Sequence, residues 1–354
     1  MKRVTLLLSV LAAGVVWTSC SDNNDNVPAI DKTENTVILT DFSAQVAVPI
    51  YTNLAAKAAS LYSDVQALNT SKSATDLAKA QTDWKGAREL YEQSEAHLFG
   101  PVATDEVDPR IDTWPVNFTD LDQQLASGNT FTAEYIDGLD DALKGFHPIE
   151  YLLFGKNGQK LASDFTSREL EYLVALATNL RDLTADCAAK WTVDGNYSAE
   201  VSTAGNGSTV YTTQLAAFEE IVKAMADICD EVGNGKLKEP YDAQNAALEE
   251  SPFSGNSIID FTNNIKGVRN VYTGKYATDG HGLDDLVKQH NLSLDAEVTQ
   301  KIDAAITALG NITVPFGQAI STQKVQVENA MSAINDLQAT LEDKLLPFVQ
   351  AHSN

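Results

Sequence analysis

The chain has 354 residues, with 49 acidic against 25 basic side chains and a formal net charge of −24 at pH 7. A charge of this sign repels nucleic acid and anionic lipid headgroups and attracts cations, so no nucleic-acid partner is expected. The length is large for a single hydrophobic core and favours two domains.

The N-terminus has the pattern of an export signal. Residues 1–3 form a short basic segment, and residues 4–16 form an apolar run that is too short to span a bilayer comfortably. The following Trp17-Thr18-Ser19-Cys20 resembles the lipobox of bacterial lipoproteins, although Trp17 replaces the usual aliphatic residue. We predict a signal peptide at residues 1–19 and lipidation of Cys20. A plain secretory signal with an incidental cysteine is the alternative.

The segment after Cys20 is polar and acidic, which is typical of a flexible tether. We assign this tether to residues 20–37 and expect the rest of the chain to be a soluble body in the cell envelope. The lipid would anchor that body to the outer membrane, on its periplasmic or surface face. Removing Lys2 and Arg3 with the signal takes the net charge from −24 to −26.

Apolar residues recur at spacings of three and four along nearly all of the remaining chain, which predicts amphipathic helices. The most regular stripe consists of Leu215, Phe218, Val222, Met225, Cys229 and Val232. One-sided helices bury such stripes most simply in antiparallel bundles. The predicted fold is all-α, with two antiparallel four-helix-bundle domains packed side by side. Residues 37–39 are the one short run considered for a strand.

The domain boundary is predicted in residues 192–209, which are rich in Gly, Ser, Asn and Thr. This places an N-terminal bundle at residues 38–195 and a C-terminal bundle at residues 205–352. A break at residues 155–164 is the alternative.

Cys187 and Cys229 lie on apolar stripes, each near the C-terminal end of its predicted helix. In antiparallel neighbouring helices these ends are far apart, beyond the ~7 Å between Cα atoms that a disulfide allows. We therefore interpret both as buried thiols, with a disulfide as the alternative.

The segment Gly145-Phe146-His147-Pro148-Ile149-Glu150 carries the most distinctive chemistry. On a helix, His147 and Glu150 share a face and form a workable half-site for a transition metal. A solvated surface pair is the alternative. Pro148 is expected to kink the helix.

A second helix face carries Trp84, Arg88, Tyr91 and Glu95 at spacings of four, three and four. Charged residues within an aromatic stripe should be buried, and a buried charge needs a partner or a function. A local pair of Arg88 with Glu92 or Glu95 is the alternative to a functional site. Downstream, Asp112 stands close to an aromatic residue in Ile111-Asp112-Thr113-Trp114-Pro115.

In this order, residues 84–101, 111–115 and 145–150 resemble conserved segments of the imelysin family, and residues 250–254 and 272–274 resemble its second half. The resemblance covers nearly all of the chain after the tether. It implies paired four-helix bundles with a polar site at their interface, centred on His147 and Glu150. It also implies a role in iron acquisition with iron-uptake partner proteins, and a historical classification as a metallopeptidase.

The predicted metal ligands are His147, Glu150, Glu95 and Asp112, surrounded by Arg88, Trp114, Ser251 and Ser254. This oxygen-rich set suits iron or another divalent metal, bound as an ion or as a small ligand.

The alternative function is a metal-dependent endopeptidase, and a structural adhesin or scaffold is a third. The sequence contains no HExxH, GxSxG or CxxC motif and no glycine-rich phosphate loop. A catalytic zinc needs further protein ligands and a base, whereas His97 should point to another face and His281, His290 and His352 should be solvated. The adhesin hypothesis leaves the acidic residues unexplained, so a binding function is favoured.

Overall fold

Helices dominate this computed structural model, which describes residues 32–192 and 195–353. The first half contains α1 (Lys32–Asp41), α2 (Val48–Ser71), α3 (Ala74–Ser94), α4 (Pro101–Thr104), α5 (Val107–Asp112), α6 (Phe118–Ala126), α7 (Ala133–Asp137), α8 (Phe146–Phe154) and α9 (Ser167–Thr192). The second half contains α10 (Tyr197–Ser202), α11 (Gln214–Asp230), α12 (Lys238–Ala243), α13 (Ser257–Thr273), α14 (Leu283–His290), α15 (Leu292–Gly310), α16 (Phe316–Thr322), α17 (Lys324–Thr340) and α18 (Leu346–His352).

Shorter turns interrupt or extend these helices. The 3₁₀ turns are Glu95–His97, Asp141–Leu143, Ala162–Asp164 and Ala246–Leu248, and the π-helical turns are Phe42–Ala47, Glu231–Lys236 and Leu341–Leu345. Among the described residues, β pairing is limited to an isolated bridge between Lys275 and Asp279. The predicted all-α class is confirmed. The strand considered for residues 37–39 is wrong, because they lie in α1.

The apolar stripes read from the sequence face the core. In α9, the stripe from Leu170 to Trp191 is buried. Its N-terminus is closed by reciprocal hydrogen bonds, in which the Glu169 amide donates to Thr166 Oγ1 and the Thr166 amide donates to Glu169 Oε2. The segment Thr166-Ser167-Arg168-Glu169 thus forms a capping box. Cys187 and Cys229 are buried free thiols, as predicted.

The described residues form one compact unit in which the helices pack in two groups. Helices α2, α3, α8 and α9 pack with one another, as do α11, α13, α15 and α17, and α3 lies against α13. The division into domains at residues 38–195 and 205–352 remains a prediction.

The α3–α13 contact is a close approach of two backbones. A Cβ atom at Gly267 would lie 2.3 Å from the carbonyl oxygen of Gln93, so a side chain there would force the helices apart. Polar groups line the same contact: Gln93 Nε2 donates to Asn263 Oδ1 at 3.1 Å, and Asn264 Nδ2 donates to the Glu92 carbonyl at 3.1 Å. This seam holds the candidate site.

The tether predicted at residues 20–37 is wrong in its last part. Residues 32–37 of the proposed 20–37 segment belong to α1, and Asn35 is buried, so this part packs against the body. The predicted signal peptide and Cys20 lie outside the described residues. No described helix combines the length and apolar character needed to cross a membrane.

Candidate metal site

Arg88 of α3 is the centre of a buried charged cluster. Its guanidinium pairs with Glu92 and Asp112, lies 3.0 Å from Glu250 Oε1, and has Nε 4.0 Å from Asp260 Oδ1. Its side chain is fully buried, and Glu95 on the same helix face is only 3% exposed. The predicted burial of Arg88 and Glu95 is therefore confirmed. A buried guanidinium requires such partners because its desolvation costs several kcal/mol (order of magnitude).

Glycine places His147 of α8 against the end of α5. Gly145 precedes α8 with φ +81°, and a Cβ atom there would lie 2.2 Å from the Ile111 carbonyl oxygen. Only glycine combines this dihedral angle with this close approach. Trp84 Nε1 of α3 donates to the Phe146 carbonyl at 3.0 Å and fixes the first turn of α8. His147, the next residue, is thereby fixed beside the seam.

The predicted kink at Pro148 is absent from α8, because this helix begins at Phe146 and places the proline in its first turn. Amide groups of a first turn have no partner within their own helix. Proline therefore removes no helical hydrogen bond at this position.

His147 meets two carboxylates from distant parts of the chain. Its Nε2 lies 3.3 Å from Asp112 Oδ1 and 3.5 Å from Glu250 Oε1. One potential ligand atom from each of these residues lies within 4.8 Å of the others. Neither ring nitrogen of His147 has a hydrogen-bond partner in the described chain, although both are buried. We call Asp112, His147 and Glu250 the acid–histidine cluster.

The electrostatic environment of His147 is strongly negative. Burial disfavours the charged imidazolium, but the nearby carboxylates of Asp112 and Glu250 outweigh this effect and raise the pKa of His147 to about 9. Burial opposes ionisation of Glu250 as well, yet Lys236, His147 and Arg88 lower its pKa. The cluster therefore stabilises a positive charge at the position of the imidazole.

Glu150 does not join the acid–histidine cluster, contrary to the predicted ligand set. Its Oε1 accepts hydrogen bonds from the Phe253 amide at 3.1 Å, the Ser254 amide at 2.7 Å and Ser254 Oγ at 2.6 Å. These bonds attach the loop before α13 to α8. Because Glu250 belongs to that loop, Glu150 and Ser254 position Glu250 and do not themselves contact the cluster's donor atoms.

Glu95 is also separate from the acid–histidine cluster. Its carboxylate lies 3.2 Å from the Lys236 ammonium and accepts a hydrogen bond from Asn264. Burial and the neighbouring Glu92 raise the pKa of Glu95. It lies seven residues beyond Arg88, which is about 10 Å along a helix, so the shared face does not bring it to His147.

Ser251 and Asp260 fix the other end of the same loop. Ser251 Oγ donates to Asp260 Oδ2 at 2.6 Å, and Asn256 Nδ2 donates to Asp260 Oδ1 at 2.6 Å. Burial is the main reason that the pKa of Asp260 rises, to about 8, although Arg88 opposes it. Ser251 thus anchors the loop that carries Glu250.

Trp114 covers the cluster on one side. Its ring centroid is 5.0 Å from that of His147. It also lines a cavity of about 260 Å³ that contains Asp112 and Glu250, which connects the cluster with the surface. Asp112 and Trp114 therefore lie at the same place, where Asp112 offers a potential ligand atom and Trp114 forms part of the cavity wall.

Glu250 and Lys236 were missed as site residues by the sequence analysis. Glu250 directly precedes Ser251 within residues 250–254, a segment that the sequence analysis had singled out. This position was the available signal that Glu250 belongs to the site. Lys236 ends the π-helical turn Glu231–Lys236, and its buried ammonium contacts Glu92, Glu95 and Glu250. Such turns often occur at functional sites, but helical periodicity does not reveal them.

Carboxylates outnumber cationic side chains at the seam. The acidic groups within contact of the cluster or of its anchors are Glu92, Glu95, Asp112, Glu150, Glu250 and Asp260. Arg88, Lys236 and the imidazolium of His147 are the cations that face them in the described chain. Protons or a bound cation must neutralise the remaining charge, because unpaired charge is costly when buried.

The other histidines lie elsewhere. His97 is buried in an aromatic environment, with ring centroids of Tyr51 and Phe42 at 5.3 and 5.8 Å. His281 and His290 are exposed, as predicted, and His352 is half-buried. His281 Nδ1 lies 2.7 Å from Asp41 Oδ2.

His97 should make the protein sensitive to acid. Burial lowers the pKa of His97 to about 3, so the unfolded chain binds this proton first as the pH falls below the usual value of about 6.5. The free energy of unfolding therefore falls as the pH drops from about 6.5 toward about 3, and at pH 4 it is lower by about 3 kcal/mol than at pH 7. In urea unfolding, the free energy of unfolding of His97→Phe should fall by that much less between pH 7 and pH 4 than the value for the unaltered protein. Equal losses in both proteins would contradict this assignment.

Comparison with known proteins agrees with this architecture. The family model described as Imelysin matches residues 47–343. Iron-regulated protein A of Synechococcus elongatus is 32% identical over 317 residues, covering 87% of this chain and 85% of that protein.

Solved structures show the same fold. The crystal structure of an iron-regulated protein A precursor from Parabacteroides distasonis has a TM-score of 0.82 and 26% identity, covering 93% of this chain and 99% of that one. An imelysin-like protein from Psychrobacter arcticum has a TM-score of 0.74 at 13% identity, covering 92% and 98% of the two chains. From the extent of the family match and the similarity to iron-regulated protein A, this chain belongs to the imelysin family.

Proposed function

We propose that this imelysin-family protein binds a divalent cation, iron in particular, at the acid–histidine cluster. The observation that carries the proposal is the convergence of Asp112, His147 and Glu250 on one buried point with unpartnered imidazole nitrogens in the described chain. The surplus of carboxylates at the seam supports it, since a cation would neutralise charge that otherwise requires protonation.

The donor set suits iron. One imidazole nitrogen and two carboxylate oxygens form a mixed set that borderline first-row cations accept. It has one histidine fewer and one carboxylate more than the 2-His-1-carboxylate set of non-haem Fe(II) enzymes. The cavity beside Asp112 and Glu250 leaves room for water in the remaining positions. The name of the S. elongatus relative, iron-regulated protein A, agrees with an iron-related role.

A binding function explains more of the geometry than peptide hydrolysis does. A hydrolytic metal centre needs a general base beside the metal-bound water. In Glu150, the carboxylate of the histidine motif, Oε1 accepts the Phe253 and Ser254 donors, and Glu150 does not join the acid–histidine cluster. Arg88 already pairs with Asp112 and Glu250. We therefore propose that the site binds and releases its cation, with endopeptidase activity as the competing outcome of the test.

We further propose that the protein acts in the cell envelope. The export signal and Cys20 support a lipid anchor in the outer membrane, from which the acidic body would bind iron and pass it to iron-uptake partner proteins.

The proposal is tested on protein purified without chelators. Elemental analysis should find a first-row metal, and removing it should lower Tm, because a ligand that binds only the native state stabilises it by RT ln(1 + [L]/Kd). Adding Fe²⁺ at 100 Kd should restore about 2.7 kcal/mol. The same preparation should leave an unfolded peptide intact. Chelator-sensitive cleavage would establish the endopeptidase instead, and no response to any divalent metal would refute both functions.

A further inference from the structure

The cavity beside the acid–histidine cluster has a charged lining made mostly of carboxylates. Its volume is about 260 Å³, and its charged lining consists of Asp112, Glu231, Glu239, Glu250 and Lys236. We call this cavity the acidic vestibule. With these side chains ionised, carboxylates outnumber the ammonium group, and the net charge of −24 on the whole chain has the same sign.

The carboxylates of the vestibule lead from the solvent to the cluster. Glu231 is 51% exposed and Glu239 is also exposed, whereas Asp112 and Glu250 have only 7% of their side-chain surface accessible. The two inner residues are the proposed ligands that meet His147. His147 is fully buried beside these two carboxylates, with Nε2 3.3 Å from Asp112 Oδ1 and 3.5 Å from Glu250 Oε1, and its ring nitrogens make no hydrogen bond among the described residues.

We propose that the cargo enters this vestibule as a free hydrated cation, and that Glu231 and Glu239 accelerate its capture. This inference rests on the proposed metal-binding function and adds to it the chemical form of the cargo. One water molecule occupies about 30 Å³ in the liquid, so the cavity has room for an ion with a partial hydration shell. An anionic chelate would place its own carboxylates against those of the protein, which costs electrostatic energy.

Lys236 supports the same charge preference. Its ammonium lies 3.2 Å from Glu231 Oε1 and 3.7 Å from Glu250 Oε1, between the outer and inner carboxylates. It also lies 3.2 Å from Glu95 Oε1. The vestibule thus already stabilises the positive charge of Lys236. Because carboxylates surround this ammonium on several sides, it attracts an anion only weakly. An arriving cation has to share Glu250 with this ammonium.

The test measures how fast the purified protein binds Fe²⁺ without oxygen, followed by quenching of tryptophan fluorescence in a stopped-flow instrument. Glu231→Gln/Glu239→Gln should lower the association rate about threefold to tenfold at low ionic strength, because exposed carboxylates steer a cation through the long-range field. The difference should shrink in about 0.5 M salt, where the screening length is only a few ångströms. The dissociation rate should remain unchanged, since neither residue is a proposed ligand.

A matched control separates steering from total charge. Glu134→Gln/Glu342→Gln changes the net charge equally at exposed positions that do not line the vestibule, and should leave the association rate within about twofold of the unaltered protein. Ferric citrate, as the anionic probe, should not bind saturably in either the unaltered protein or the vestibule variant.

The outcomes are distinguishable. Fe²⁺ binding at equal rates in the vestibule variant and the unaltered protein would refute the steering inference and leave the proposed function standing. Saturable binding of ferric citrate that becomes faster in the vestibule variant would refute the assigned form of the cargo. Failure of the unaltered protein to bind Fe²⁺ would refute the proposed function and this inference together.

Discussion

Replacing Arg88 with Met is expected to lower the free energy of unfolding by about 3–5 kcal/mol, the usual cost of leaving buried partners of an ion pair uncompensated. The side chain is fully buried and pairs with Glu92, Asp112 and Glu250. Methionine fills much of the volume, but it removes the guanidinium that neutralises these carboxylates. The loss therefore reflects unpaired charge more than a packing defect.

Urea unfolding at pH 7 is the appropriate measurement, with Arg269→Met as the control. Arg269 lies on α13, has a 41% exposed side chain and pairs with Asp303 at the surface. Such a pair contributes about 0–1 kcal/mol, so the control should unfold almost as the unaltered protein does. Equal, small losses for both variants would show that the charged cluster at the seam is not required for the fold.

The second large effect is expected on metal affinity. The double substitution His147→Ala/Glu250→Gln should weaken Fe²⁺ binding by at least about a hundredfold, because it removes two donors and each 1.4 kcal/mol corresponds to tenfold. Calorimetric titration without oxygen measures this loss, and circular dichroism checks that the helices remain.

Glu150→Gln is the informative comparison, because the structure assigns Glu150 to the loop and not to the metal. Its loss of affinity should be smaller, about tenfold, since the hydrogen bonds from Phe253 and Ser254 would weaken while the donor atoms stay in place. A severe loss in Glu150→Gln together with unchanged binding in Glu250→Gln would support the ligand pair first predicted from the motif.

The sequence predicted the helices well because each buried stripe is a local pattern. It also indicated the burial of Arg88, since a charge within an aromatic stripe requires partners. It named His147 and Asp112 as site residues, and the structure places them 3.3 Å apart. In contrast, the i, i+3 spacing of His147 and Glu150 shows only that both lie on one face of α8. Whether Glu150 contacts a metal depends on Ser254, which is 104 residues away in sequence.

Two further differences between the predicted and the observed site also arise from contacts between distant parts of the chain. The expected kink at Pro148 depended on where α8 begins, and Gly145 sets that start through its contact with Ile111. The contribution of Glu250 depends on a loop attached at both ends by side-chain hydrogen bonds, from Ser254 to Glu150 and from Ser251 to Asp260. Long-range contacts of this kind leave no periodic signal in one sequence.

Anomalous X-ray diffraction from crystals grown with Fe²⁺ in the absence of oxygen tests the central claim most directly. We predict a strong peak at the iron edge about 2 Å from Asp112 Oδ1, His147 Nε2 and Glu250 Oε1, the distance that first-row divalent ions take to such donors. Data collected below the edge should lack that peak. Iron found instead between Glu95 and Lys236, or a protein that binds iron in solution but shows no peak near His147, would contradict the assignment of this cluster as the metal site.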